Sequence, residues 1–95
     1  MTVYVDDMHQ TALGAFGRMK MCHMIADTDE ELHAMADRIG VPRRWFQHPN
    51  SPRRHYDIAM SKRAAAVAAG AVEITLKQAA CMTGRRQAEG VLGPP

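Results

Sequence analysis

The chain has 95 residues, 46% of them hydrophobic, and a formal net charge of +2. That suffices for one buried core but not two, and it is too apolar for a disordered chain. No apolar run reaches the roughly 18 residues of a transmembrane helix, and the opening "MTVYVDDM" carries acids where a secretory leader carries positive charge. A cytoplasmic protein with no membrane attachment is therefore expected.

Thr2–Asp6 alternates β-prone residues and reads as a first strand ending in Asp6 and Asp7. "MHQTALGAFG" reads as a connecting loop, and Arg18–Ala26 as a second strand. On that strand Arg18, Lys20, Cys22 and Met24 share one face, and Met19, Met21, His23 and Ile25 the other. Cys22 and His23 thus point apart and form no dyad. Cys22 and Cys81 lie in no C-x-x-C pattern, which argues against a disulfide or structural zinc. "DTDEELHAMADRIG" predicts a helix with Thr28 as N-cap and Glu31 completing a capping box. Leu32, Met35, Ala36 and Ile39 form its buried stripe, and Gly40 is its left-handed terminator.

Arg43–Gln47 is expected to be a third strand, parallel to the second across the helix. "HPNSPRR" is a turn-rich loop. Ser61 is expected to cap a helix of small residues ending near Gly70, followed by the strand "AVEIT". Thr75 and Gln78 form a second capping box that opens "LKQAACMTGRR". The segment 87–95 is expected to be a flexible tail. The fold class is α/β: one small domain over residues 1–86, a mixed sheet of four to five strands with about three helices, and a βαβ crossover.

Charge is unevenly placed. Residues 1–37 carry seven acids against two bases, and residues 38–63 carry seven bases against one acid. A basic segment of this kind attracts phosphate-bearing ligands, though it also serves as a solvated surface. Arg18 and Lys20 can converge on an anion or guard an exposed strand edge. Ser61, Lys62 and Arg63 at a helix start suit phosphate. Asp6 and Asp7 at a strand end can hold a metal, or simply make a turn. His23, His55 and Asp57 are the candidates for proton transfer, with a hydrogen-bonded core histidine the alternative for His23. Neither standard nucleotide-binding glycine pattern is present. "ITLKQAACMTGRR" resembles the start of a helix-turn-helix, but the closing "RRQAEGVLGPP" is too short and broken for a recognition helix.

"VYVDD", "GRMKMCHMIADTDEELHAMADRIG", "RRWFQ" and "HYDIAMSKRAAAVAAGAVEIT", in that order, resemble the family catalogued as domain of unknown function 4031. The resemblance runs from about Thr2 to Thr75. It implies a small cytosolic bacterial or phage protein and no established activity. The leading expectation is a site for a phosphate-bearing ligand, a nucleotide or a nucleic-acid end. Such a site would use a divalent metal, magnesium or manganese, and could hydrolyse a phosphoester. The alternative is a non-enzymatic accessory protein that binds a host protein or sequesters a small nucleotide. A homodimer building one site from two chains is a third reading.

Overall fold

The computed structural model describes residues 2–16 and 19–95. Five strands, β1 (Val3–Val5), β2 (Ala15–Phe16), β3 (Met19–Ala26), β4 (Tyr56–Ala59) and β5 (Val72–Glu73), form one mixed sheet around β3. Helices α1 (Asp29–Ile39), α2 (Met60–Ala68) and α3 (Leu76–Glu89) cover it. β3 pairs antiparallel with β1, β2 and β4, whereas β1 and β5 run parallel. β4 and β5 therefore point the same way, and α2 makes the βαβ crossover between them.

Strand alternation divides the core in two. One face of the sheet presents Val5, Cys22, Met24, Tyr56 and Ile58 to Leu32, Ala36 and Ile39 of α1 and Ala66 of α2. The other presents Tyr4, Ile25 and Ile74 to Ala79 and Met82 of α3. Small residues on α2 let it lie close to the sheet. Cys22 is fully buried, and burial pushes its thiol up to about 12, as suits an inert core residue.

The helix ends follow the sequence closely. Thr28 accepts the Glu31 backbone N–H, and Gly40 closes α1 at φ 80°, a conformation that penalises any side chain. Thr75 and Gln78 form the complete reciprocal capping box of α3. Three readings change. Arg43–Trp45 is a 3-10 turn, because Trp45 and Phe46 bond back to Pro42 and Arg43; only Gln47 pairs with β4's lead-in, at His55. The parallel pair of the sheet is accordingly β1–β5, not β3 with this segment. Ser61 does not cap α2, since the strand passes straight into the helix and Ala59 stands at the N-cap. Lastly, the expected tail at 87–95 is helical to Glu89, and Leu92, 2% exposed, joins the core under α3.

The "MHQTALGAFG" segment folds as two 3-10 turns, Met8–Gln10 and Ala12–Gly14, leading into β2. Gly14 presses on this corner: a Cβ there would collide with the Met8 and Met21 carbonyls and the His9 Cα.

Candidate metal site

In the antiparallel register of β3 and β4, His23 stands directly across from Asp57. His55 is two residues before Asp57 and so projects to the same side of the sheet, while Tyr56 between them turns into the core and bonds His33. The triplet "HYD" is thereby split, two polar groups to one face and the phenol to the other. One donor atom from each of His23, His55 and Asp57 lies within 4.8 Å of the others, the one such cluster of three among the described residues.

Both imidazoles are held from behind. His23 Nδ1 is 2.7 Å from Asp6 Oδ2, and His55 Nδ1 is 2.7 Å from the Arg53 carbonyl oxygen. A carbonyl only accepts, and an ionised carboxylate only accepts, so each Nδ1 carries the proton and donates. Each Nε2 is then left with a lone pair. The two Nε2 atoms face Asp57 Oδ1, at 3.7 Å from His23 and 3.3 Å from His55. That oxygen is buried and receives no aligned hydrogen bond, whereas Oδ2 accepts from Gln47 Nε2 at 2.7 Å. Three possible donor atoms thus lie together.

The surrounding electrostatics favour positive charge there. Burial works to lower the His55 pKa, but Asp57 and the Arg53 carbonyl outweigh it and hold it above the ordinary histidine value. The His55 imidazole and Gln47 hold the Asp57 carboxyl below its usual range against burial. Asp6, only 1% exposed, is opposed by burial as well, yet its bonds from the His23 ring and from the His23 and Met8 backbone N–H groups keep it low. Donors around zinc at about 2.1 Å sit roughly 3.4 Å apart in a tetrahedron; the Asp57 spacings of 3.3 and 3.7 Å lie near that value, and the widest separation in the cluster, up to 4.8 Å, would have to close.

A cleft of about 200 Å³ opens on the cluster, lined by His23, His55, Ile25, the α3 residues Leu76, Ala79, Ala80 and Thr83, and by His48 and Arg53. The loop carrying the last two is pinned from below. Arg86, buried on α3, donates to the Ala26 and Pro52 carbonyls, and Arg54 pairs with Asp29 at 2.6 Å. His48 holds φ 54°, an uncommon backbone state for a side-chain-bearing residue, at the mouth of this cleft.

A family model described as "Protein of unknown function (DUF4031)" matches residues 3–86. The chain belongs to that family. No curated protein and no solved structure matches it.

In this DUF4031 chain the expected site residues separate into groups. His23, His55 and Asp57 come together. Asp6 stands behind His23 rather than beside Asp7, and Asp7 accepts the Leu76 N–H at 2.6 Å, tying β1 to the start of α3. The two carboxylates therefore do not share a site. Arg63 clamps the Asp6 carbonyl and Glu73. Lys62 reaches over Gly40 at the end of α1, where a cation suits the helix dipole. Lys20 is exposed three positions before His23, on the opposite face by alternation, and Ser61 is exposed in the first turn of α2. Arg18 lies outside the described residues. Gln47, His48 and Arg53 were not among the expected residues. Gln47 could have been found as the polar residue one strand over from "HYD", but nothing in the sequence marks the Arg53 carbonyl.

Proposed function

We propose that His23, His55 and Asp57 hold a divalent transition-metal ion and that the protein hydrolyses a phosphoester in the adjoining cleft. The observation that carries this reading is Asp57 Oδ1, buried and without a partner between two Nε2 atoms whose rings are fixed by Asp6 and Arg53. Outer carboxylates and carbonyls on the far nitrogen are how metal-binding histidines are oriented. Two imidazoles with one carboxylate suit zinc, manganese, iron or cobalt, whereas magnesium and calcium prefer oxygen donors.

Held by His23, His55 and Asp57, such an ion would supply a water of lowered pKa and would polarise a phosphoryl oxygen. The chain's own groups do the rest. Arg53 at the cleft rim attracts the anionic ester, and the apolar wall of Ile25, Leu76 and Ala79 excludes bulk water. Water would give up a proton to solvent and add to phosphorus, the bond to the leaving oxygen would break, and that oxygen would take a proton, for which His48, lining the cleft, is the candidate donor. The cleft is small enough to admit a phosphate with one sugar or base.

Cobalt(II) supplies the decisive measurement, because its visible absorption reports imidazole ligation. Wild-type protein should bind one equivalent with the spectrum of a four- or five-coordinate site, and His23→Ala and Asp57→Ala should lose it. The loaded protein should then cleave an activated phosphodiester or monoester. Equal cobalt binding by the variants would refute the ligand assignment, and binding without turnover of either ester would refute the hydrolysis.

A further inference from the structure

We infer that the phosphoester belongs to a single-stranded nucleic acid and that Trp45 is the platform on which one of its bases stacks. The inference rests on the metal-assisted reading above and names its substrate class. A second cleft, of about 220 Å³, is lined by Met21, Trp45, Gln47 and Asp57. Asp57 borders this cleft while His23 and His55 border the first, so both clefts adjoin the cluster. A ligand that occupies both is extended and passes the three donors.

The chemistry of the second cleft selects the ligand. Trp45 is 52% exposed although it is the largest side chain in the molecule, and the Arg44 guanidinium carbon lies 5.9 Å from its ring centre. An aromatic face beside an arginine is the usual means of holding unpaired bases, whose π-faces are all alike to it. Arg43, Arg54 and Arg63 are engaged with Asp37, Asp29 and Glu73. Arg44, beside Trp45 of the second cleft, and Arg53, in the first, have no acidic partner among the described residues, so each cleft has an unpaired cation. Stacking on Trp45 requires a base free of its pairing partner, which excludes a duplex. An acidic peptide would satisfy the arginines and leave the indole unused.

Trp45 is the chain's one tryptophan, so its emission reads the event directly. The full-length protein, in EDTA to prevent cleavage, is titrated with an eight-residue oligothymidylate, the matching duplex, thymidine monophosphate, inorganic phosphate and polyglutamate. The oligothymidylate should quench the emission saturably, and its affinity should fall roughly tenfold between about 50 and about 200 mM salt. The other four should bind far more weakly. With a labelled oligomer, Trp45→Ala should lose about tenfold or more in affinity and Trp45→Phe less. Unchanged emission, equal quenching by the duplex or by polyglutamate, or full affinity in Trp45→Ala would overturn the inference. Because the titration is run in EDTA, it reads oligomer binding apart from the metal. Cobalt binding without oligomer binding thus removes this inference alone, and the reverse removes the metal alone.

Discussion

At the scale of single residues, Asp6 shows how a strand-end carboxylate can matter without touching a ligand. It accepts two backbone N–H groups and the His23 ring, and so sets both the corner after β1 and the nitrogen that His23 offers. Asp6→Asn should lower metal affinity about 10- to 100-fold, measured by competition with a chromophoric chelator. It should also destabilise the metal-free protein by about 1–3 kcal/mol. The pH dependence has a definite sign. The folded carboxyl is held below its unfolded value, so its stabilisation is present above about pH 4 and is lost as pH falls through the lower folded value. Acid should therefore unfold the wild type more steeply than Asp6→Asn. The sequence offered His55 and Asp57 as candidates in one triplet, but the strand that turns both to one face, β4, was not read there. It could not show that Asp6 and Asp7 diverge, because that depends on which backbone N–H each carboxylate meets, and those belong to β3 and α3.

At the scale of elements, side-chain caps were legible and backbone-made boundaries were not. Thr28 and Thr75 announce α1 and α3 through the residues three positions on, and the structure uses both. Thr75→Ala should cost about 1 kcal/mol in denaturant titration. By contrast, α2 starts with no side-chain cap at all, so Ser61 was the obvious but wrong choice. "RRWF" reads as a strand on propensity, yet Pro42 turns the chain and the segment curls instead. The loop 48–54 has no regular structure to stiffen it and depends on Arg86, whose long-range bonds leave no local trace in the sequence. Arg86→Met should speed amide exchange across residues 48–54 while α1 keeps its protection. It should also loosen metal binding through the Arg53 carbonyl behind His55.

At the scale of the whole molecule, the fold class was legible because hydrophobic periodicity survives without contacts, but the crossover was placed wrongly: it runs through α2 between β4 and β5, not through α1. The layer under α3 was not, since its last member, Leu92, sits beyond a helix stop and between glycines. Leu92→Ala should cost about 2–3 kcal/mol, and a chain ending at residue 86 should lose more. The metal reading makes a global prediction as well. Zinc at about a hundred times its dissociation constant should add about 2.7 kcal/mol, seen as a rise in Tm of roughly 10–20 °C. EDTA should reverse it, and His55→Ala should not show it.

The split of His55, Tyr56 and Asp57 across β4 has a consequence for the life of the chain in a cell. If β4 paired one residue out of step, Tyr56 and Ile58 would face water while a histidine and a carboxylate entered the apolar layer. No half-correct molecule can persist on those terms. A nascent chain either acquires the cluster of His23, His55 and Asp57 and its interior in the same pairing event or stays open to proteases. Surveillance of hydrophobic exposure thereby inspects that cluster too, although it never touches it.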